Sequence, residues 1–114
     1  MSDCLFCKIV VGEIPATVVA ESERVLAIDD IAPQAPVHVL IMPKTHVESA
    51  DTVASSDADV VAEMILLAQR VAASEGVKES GYRLVCNVGA DGQMTVAHLH
   101  MHLLGGRRLE WPPG

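Results

Sequence analysis

The chain is poor in aromatic residues, in basic residues and in cysteine. It has one Phe, one Trp and one Tyr in 114 residues, yet half of its residues are hydrophobic, so its core must be aliphatic. Its formal net charge is −7 and its basic residues form no patch, which argues against a protein that follows the backbone of a nucleic-acid polymer. One small phosphorylated ligand remains compatible with this charge, because locally placed donors can hold a single phosphate.

Long apolar runs are also missing. The longest ones are interrupted by Asp, Glu, Pro or His well before the roughly 18 residues that a membrane span needs. The start of the chain, residues 1–4, has no basic stretch followed by an apolar one, so no signal peptide is visible. The sequence therefore predicts a cytoplasmic protein with no membrane partner, and its length fits one domain over residues 1–114.

The few cysteines are Cys4, Cys7 and Cys86. An odd number with one Cys-x-x-Cys spacing argues against a disulfide framework and favours metal or redox use of the first two. A closed structural zinc site takes four nitrogen or sulfur ligands, so histidines must complete it, and His46 and His98 are the best candidates. A redox pair or spectator thiols are the alternatives. Cys86 lies in a strand-like run and is interpreted as a small buried hydrophobe.

The most distinctive stretch is residues 97–104, where three histidines alternate with apolar residues. Side chains two positions apart lie on the same face of a strand. A strand that begins at residue 95 or 96 and ends at 104 would therefore place His98, His100 and His102 on one face. The opposite, core-facing side would carry Leu99, Met101 and Leu103.

This histidine row has three chemical interpretations. Imidazole is the commonest metal ligand, but alternate strand residues lie about 7 Å apart, so one zinc ion with bonds of about 2 Å is hard to reach from all three. A neutral imidazole is also a good nucleophile toward phosphorus and can divide one displacement into two steps, while a neighbouring histidine holds a phosphate oxygen. The third interpretation is a row of solvated histidines on an exposed sheet face.

Four further strands, one long helix and a short N-terminal helical turn are predicted elsewhere. Ser56 is expected to cap the long helix, with aspartates in the first turn, where the helix dipole favours anions, and the helix should end near Gly76. Its apolar residues recur at spacings of three and four, which indicates core rather than a site. These positions are Val60, Val61, Met64, Ile65, Leu67, Ala68 and Val71. The strands are expected at residues 17–21, 25–30, 37–43 and 83–88.

Motifs along most of the chain resemble the histidine triad family, HIT. The triad with the residues that follow it, up to Arg107, is the most specific match. Together with the C-terminal Trp-Pro-Pro-Gly at 111–114, it is similar to the Hint branch, the nucleoside phosphoramidases, rather than to the dinucleoside polyphosphate hydrolases. Further matches are Cys4-Leu5-Phe6-Cys7-Lys8-Ile9, Gly12-Glu13-Ile14-Pro15, the segment from Asp30 to His38, and Pro43-Lys44-Thr45-His46.

The resemblance implies an α+β fold with a five-stranded antiparallel sheet, one main helix and a short N-terminal helix. It also implies a homodimer whose sheets join into one and whose C-terminal tails reach the partner's site. The implied activity is hydrolysis of the P–N bond of purine nucleoside 5′-phosphoramidates through a covalent nucleotidyl-histidine. The alternatives are a purine-nucleotide-binding regulatory module with incidental activity, a dinucleoside polyphosphate hydrolase, and a zinc hydrolase that uses the triad as ligands.

Carried over by motif position, the resemblance assigns catalytic roles to four residues. His100 is the implied nucleophile at the α-phosphorus, and a backbone carbonyl is expected to orient its other ring nitrogen. His102 contacts phosphate oxygens, and His38 supports the cluster from the third strand. Thr95 lies near the leaving group.

The same resemblance assigns residues to the nucleoside and to a structural zinc ion. Asn87 would contact the phosphate or ribose side, and Asp30 would accept hydrogen bonds from ribose hydroxyls. Trp111 would contribute from the tail. The implied apolar slot for the base is Leu5, Phe6, Ile9, Ile28, Ile31 and Leu40. In zinc-bearing members, the residues at Cys4, Cys7, His46 and His98 hold the metal.

Two departures from the family pattern concern the loop before the triad. Met94 stands where the family commonly has Gln, and Gln93 comes one residue earlier. A thioether is a weak acceptor and no donor, so one polar contact to the phosphate or the leaving group is missing unless Gln93 supplies it. Ala97 replaces a residue that is frequently larger. These differences bear on leaving-group preference.

Overall fold

The computed structural model describes residues 3–114 as an antiparallel five-stranded sheet with a helix on each face. The short helix α1 spans Leu5–Val10 and the long helix α2 spans Ala58–Ser74. Short 3₁₀ turns at Ala50–Thr52 and Ser55–Asp57 precede α2. The strands are β1 Val18–Glu21, β2 Val25–Asp29, β3 Val37–Pro43, β4 Tyr82–Val85 and β5 Met101–Gly105. This confirms the predicted α+β class, with five strands, one main helix and a short N-terminal helix.

The strand order is β1-β2-β3-β5-β4, and every neighbouring pair is antiparallel. The last strand therefore lies between β3 and β4, which leaves β4 at one edge. His102 pairs with Leu40 of β3 on one side and with Val85 of β4 on the other, and His38 pairs with Leu104. Because antiparallel partners share a face, the register sets His38 and His102 on the same face as Leu40.

Strict alternation in β2 and β3 divides the core into two layers. Val25, Val39 and other odd-numbered strand residues pack with α2, and even-numbered residues pack with α1 on the opposite face. The α2 layer includes Val25, Ala27, Val39, Ile41, Met64, Leu67, Val71, Leu99 and Leu103. The α1 layer consists of Phe6, Leu26, Ile28, Leu40 and Met42, with Cys4, Ile9, Val10 and Val96 at its margin.

The long helix begins one residue later than predicted. Asp57 is the residue before its first turn, and Ser56 lies in the preceding 3₁₀ turn, so Ser56 is not the cap. The Asp57 carboxylate instead accepts the backbone N–H of Ala54 at 2.9 Å. The helix ends before Gly76, whose φ of 78° suits glycine. Most of the predicted stripe is buried, but Ile65 is 38% exposed and lies outside the core.

The last strand is shorter than predicted. It begins at Met101, so His98 and His100 precede it in irregular backbone, and only His102 of the three histidines lies on a strand. The prediction was wrong because the alternation of histidines with apolar residues continues before the strand begins. Leu99 packs into the α2 layer, as a strand residue would, but it is not part of the sheet. The fourth strand also ends early, at Val85, and Cys86 after it is exposed rather than buried.

A polar network ties α2 to the turn between β1 and β2. The Glu63 carboxylate accepts the Ser22 hydroxyl at 2.5 Å, the Arg24 backbone N–H at 2.8 Å and the Arg24 guanidinium at 2.8 Å. The Ser22 hydroxyl, followed by the Arg24 backbone N–H, lowers the Glu63 pKa to about 2. This carboxylate is therefore ionised at neutral pH and fixes the helix against one end of the sheet.

Two glycines end β5 where the chain passes close to its neighbours. A Cβ on Gly105 would lie 3.0 Å from Val77, at the loop that follows α2. Gly106 has a φ of 91°, and a Cβ there would meet Pro36 at 2.9 Å. The end of β5 therefore fits between two loops only because these positions carry no side chain.

Over residues 3–114, no helix has both the length and the apolar character that crossing a bilayer requires.

Candidate active site and metal centre

The four predicted metal ligands, Cys4, Cys7, His46 and His98, converge at the N-terminus of α1. The Nδ1 atom of His98 lies 3.2 Å from Cys4 Sγ and 3.6 Å from Cys7 Sγ. The Nδ1 atom of His46 lies 3.2 Å from that of His98 and 3.5 Å from Cys7 Sγ. Two ligands bonded to one tetrahedral zinc ion at about 2.0–2.3 Å lie about 3.3–3.8 Å apart. The cluster has the size that such an ion requires.

The tautomer of His98 supports a cation at the same point. Its Nε2 lies 2.8 Å from the carbonyl oxygen of Pro43, which can only accept. The proton is therefore on Nε2, and the Nδ1 lone pair is directed at the two sulfurs and at His46. His98 is fully buried, and burial is the main cause of its lowered pKa. A neutral ring with a converging lone pair is the form that ligates metals.

His100 is oriented by a backbone carbonyl, as the resemblance implies, and the structure identifies that carbonyl as the one of His98. The His100 Nδ1–H donates to it at 2.6 Å. The lone pair of the neutral ring is therefore on Nε2. The ring is buried, and Phe6 packs edge-on against it with ring centroids 4.9 Å apart. This histidine has one defined tautomer and a fixed orientation.

A hydrogen-bond relay fixes the tautomer of His102. The backbone N–H of Gln34 donates to His38 Nδ1 at 3.0 Å, so the His38 proton is on Nε2. That N–H lies 2.8 Å from His102 Nδ1 and 3.3 Å from the Asp30 carboxylate. His102 Nδ1 therefore accepts, and its own proton is on Nε2. The ring centroids of His100 and His102 are 5.2 Å apart, so the ring with its lone pair on Nε2 and the ring with its proton on Nε2 are neighbours.

Burial keeps the members of this relay neutral. It lowers the pKa of His102 from 6.5 to about 4, with the nearby His100 and His38 adding to the effect and Asp30 opposing it. Burial likewise lowers the pKa of His38, again against the attraction of Asp30. His102 is thus neutral at pH 7, with an N–H available on Nε2.

The structure gathers only part of the predicted apolar slot. Phe6, Ile28 and Leu40 are buried together in the α1 layer, and Ile9 packs at its margin. Leu5 is 41% exposed, and the Ile31 side chain is fully exposed. The reason lies in the backbone: Ile31 follows the end of β2, in a turn whose Ala32 N–H is held by the Asp30 carboxylate at 2.8 Å.

The remaining predicted residues lie on the loop before the histidines and on the C-terminal tail. The Asn87 amide donates to the carbonyl of Gly92 at 2.6 Å, which closes the loop that leads to exposed Thr95. In that loop Met94 is half-buried, whereas Gln93 is exposed and has a φ of 62°. Trp111 is 80% exposed, with the Arg83 guanidinium 5.9 Å above its ring.

Sequence reasoning missed the backbone groups that set the tautomers. The carbonyl of Pro43 and the N–H of Gln34 act through main-chain atoms, which every residue type offers, so no side chain signals them. Arg83 was also missed. Its guanidinium donates to the Glu110 carbonyl at 2.9 Å and so holds the C-terminal tail beside β4.

A cleft of about 780 Å³ lies beside the four-ligand cluster. Its lining includes Cys4, Cys7, His46 and Thr95. His46 is exposed. Small molecules in solvent can therefore reach the cluster from this side, although His98 is buried.

A model of the HIT domain matches residues 11–109 of the chain. The chain belongs to the HIT family. Among its relatives, an uncharacterized HIT-like protein of Synechococcus elongatus is 46% identical over 112 residues, which cover 98% of this chain and 97% of that protein. A Zea mays protein named 14 kDa zinc-binding protein is 46% identical over 116 residues, which cover 99% of this chain and 89% of the relative.

Solved HIT structures have the same fold. A HIT family hydrolase from Legionella pneumophila is 52% identical and superposes with a TM-score of 0.96, covering 98% of this chain and 100% of its own. A histidine triad protein from Clostridium difficile is 41% identical, with a TM-score of 0.93 and 96% coverage of both chains. These similarities cover at least 96% of this chain, and they support a hydrolase at the level of the family.

The lowered pKa of His102 gives a measurable pH dependence. In an NMR titration of the folded HIT protein, the His102 ring should stay neutral down to about pH 4, whereas in urea it should titrate near about 6.5. Between these values the unfolded chain binds more protons, so the contribution of His102 to the free energy of unfolding is complete above about pH 6.5 and is lost as the pH falls toward 4. His102→Asn should flatten this slope. A folded-state pKa near 6.5 would contradict the assignment.

Proposed function

We propose that this HIT protein hydrolyses the P–N bond of purine nucleoside 5′-phosphoramidates and releases the nucleoside monophosphate. The observation that carries the proposal is the 2.6 Å hydrogen bond from His100 Nδ1–H to the His98 carbonyl. It leaves the Nε2 lone pair available for attack on phosphorus, and it stabilises the charge that the ring acquires when Nε2 forms a bond.

The reaction has two steps with one covalent intermediate. In the first, His100 Nε2 forms a bond to the α-phosphorus while the P–N bond breaks, and the amine leaves with the electron pair and takes up a proton from solvent. In the second, water attacks the same phosphorus, the bond to Nε2 breaks, and the electron pair returns to the ring. The water proton is released to solvent. A histidine fits both steps because it is a nucleophile when neutral and a good leaving group when charged.

Neutral donors hold the phosphate in this scheme. His102 binds His38 through Nδ1, so its N–H is on the other ring nitrogen, Nε2. The centroid of the His102 ring is 5.2 Å from that of His100. Such a donor can stabilise the negative charge that develops on the phosphate oxygens in the transition state. The hydroxyl of Thr95 serves the leaving-group side, and His38 keeps the tautomer of His102.

The nucleoside is held by polar groups at the ends of β2 and β4 and by the apolar α1 layer. Asp30 already accepts the Ala32 N–H and lies near His38, but two carboxylate oxygens offer about four acceptor positions, so ribose hydroxyls can still bind. Asn87 stands on the phosphate or ribose side, with Ile31 at the open margin. The base lies against Leu5, Phe6, Ile9, Ile28 and Leu40.

We also propose that the Cys4, Cys7, His46 and His98 cluster holds a structural zinc ion. The separations of the ligand atoms and the tautomer of His98 support this, as does the name of the Zea mays relative. The two thiolates and two imidazoles make a closed site, in which the ion supplies cross-linking rather than an open position for chemistry.

A homodimer is the third element of the proposal. Strand β4 lies at the edge of the sheet, and an edge strand offers backbone groups for pairing with a second chain. The tail is held beside that edge by Arg83, and it presents exposed Trp111 there. Pairing through β4 would join the two sheets and carry each Trp111 toward the partner's site.

His100→Gly should abolish turnover of an adenosine 5′-phosphoramidate, with kcat falling by about 10³-fold or more. AMP should still bind, as calorimetry can measure, because the apolar layer and Asp30 are unchanged. Rapid quenching and intact mass measurement should detect the nucleotidyl adduct on the wild-type protein alone. Undiminished turnover in the variant would exclude His100 as the nucleophile.

Elemental analysis of the purified protein should find about one zinc ion per chain. Cys4→Ser should lose most of it, because a hydroxyl is a poor zinc ligand. Cys86→Ser is the matched control, since its thiol is exposed and outside the cluster, and it should keep the metal. Equal zinc contents in all three proteins would refute the assigned site.

Light scattering should give about twice the 12.1 kDa chain mass. Trp111→Ala should reduce turnover, and mixing it with His100→Gly should restore activity, because one site of each mixed dimer then has both His100 and the partner's tail. If the tail serves its own chain, the mixture will show no gain over Trp111→Ala alone.

A further inference from the structure

We propose that Arg107 is a positioning residue for the histidines of the active site. It holds the loop between β2 and β3, residues 30–36, so that the backbone N–H of Gln34 sets the tautomers of His38 and His102. This inference rests on the proposed function, in which the Nε2–H of His102 contacts the phosphate. Arg107 acts through the loop and does not itself touch the substrate.

The guanidinium of Arg107 holds the main chain of Gln34. Its Nε donates to the Gln34 carbonyl oxygen at 3.3 Å, and its Nη2 donates to the same oxygen at 3.1 Å. The third nitrogen, Nη1, donates to the carbonyl of Arg108 at 3.2 Å. All three guanidinium nitrogens are thus bound to backbone acceptors, an arrangement that the planar fork of arginine allows and the ammonium of lysine does not.

Gln34 also directs the relay, through its other main-chain group. Its N–H donates to His38 Nδ1 at 3.0 Å, while its carbonyl accepts from Arg107. The two groups lie on either side of one Cα, so holding the carbonyl restricts the torsions that would turn the N–H away from His38. A donor at this point excludes a proton on His38 Nδ1, and the relay to His102 begins there.

The loop has few other restraints near Gln34. Residues 31–34 are exposed, and Ala35 is the one buried residue between 31 and 36. At the start of the loop the Asp30 carboxylate accepts the Ala32 N–H at 2.8 Å, and the Gln34 side-chain amide donates to the Ala32 carbonyl at 2.9 Å. A buried methyl group at Ala35 anchors the chain without fixing the direction of the Gln34 N–H. The guanidinium supplies that restraint.

The end of β5 brings Arg107 to this loop. Gly105 pairs with Val37 at the start of β3, and a Cβ on Gly106 would lie 2.9 Å from Pro36. The chain therefore passes directly beside the loop, and Arg107 is the first residue after this contact. Because β5 also carries His102, one strand and the residues that follow it supply both the proposed phosphate contact and the side chain that sets its tautomer.

Loss of the guanidinium should loosen the relay without reversing it. If the Gln34 N–H turns away, His38 can carry its proton on Nδ1, and His102 then presents a lone pair instead of an N–H on Nε2. A lone pair repels a phosphate oxygen. The Asp30 carboxylate, 3.3 Å from His38 Nε2, still favours the original form. We therefore expect a minor second tautomer of both rings.

Arg107→Met in the full-length protein removes the donors and keeps an unbranched side chain. Amide hydrogen exchange at Gln34 should be about tenfold faster than in the wild type, because the loop opens more often. Ring ¹⁵N spectra should show the minor tautomer of His38 and His102. With an adenosine 5′-phosphoramidate, kcat should fall by about threefold or more, while the affinity for AMP in calorimetry should be unchanged.

Two further variants separate the fork from the charge. Arg107→Lys keeps the charge but replaces the fork with a single ammonium, so its exchange rate at Gln34 and its kcat should fall between those of the wild type and Arg107→Met. Arg108→Met is the matched control. Arg108 accepts through its backbone carbonyl, which the substitution keeps, so this variant should match the wild type in exchange, spectra and kcat.

The possible outcomes separate this proposal from the proposed function. Unchanged Gln34 exchange and unchanged tautomers in Arg107→Met would overturn the positioning role, whatever happens to turnover. A loss of AMP affinity with an unchanged loop would also overturn it, since Arg107 would then contact the phosphate directly. If the wild type never cleaves phosphoramidates but Arg107→Met still shows faster exchange and the second tautomer, the proposed function is wrong and the positioning role stands.

Discussion

The hydrogen bond from His100 to the carbonyl of His98 is the interaction on which the rest of the site depends. A neutral imidazole free in solution exchanges its proton between two nitrogens, whereas a carbonyl at 2.6 Å from Nδ1 selects one form. That selection requires a backbone that turns its carbonyl toward the ring, and so requires the chain to leave the sheet before Met101. The buried side chain of His98 and the packing of Leu99 stabilise this departure.

Three main-chain groups set the tautomers of three chemically identical rings. The carbonyl of Pro43 leaves the His98 lone pair on Nδ1, and the carbonyl of His98 leaves the His100 lone pair on Nε2. The N–H of Gln34, acting through His38, leaves the His102 proton on Nε2. Each assignment begins at a group that can only accept or only donate, and the one that passes through His38 also requires that ring to be neutral, as burial keeps it. One motif in the sequence thus becomes three histidine rings, each with its tautomer set by its own hydrogen bonds.

The sequence predicted the side-chain content of the site better than its backbone. Residues 37–43 were predicted as a strand and form β3, because alternation and Pro43 mark both ends. The prediction that Cys4, Cys7, His46 and His98 lie together, made because two thiols need two further ligands in a closed zinc site, matches their positions in the structure. The start of β5 was wrong, since Leu99 preserves the apolar period outside the sheet, and Cys86 was wrong because β4 ends before it. Tautomers had no signal in the sequence, because every residue type carries the backbone atoms that set them.

The glycines that end β5 restrict how this protein can change over evolution. Because Gly105 passes 3.0 Å from Val77 at the Cβ position and Gly106 lies against Pro36, neither side chains nor an extra residue can be accommodated there. A one-residue insertion would slide β5 by one position and turn every side chain to the opposite face. His102 would then enter the aliphatic layer beneath α2, and Leu103 would take its place beside His38. Length variation among relatives of this chain should therefore accumulate in the loops after α1 and before α2, and be absent between the histidines and the glycine pair.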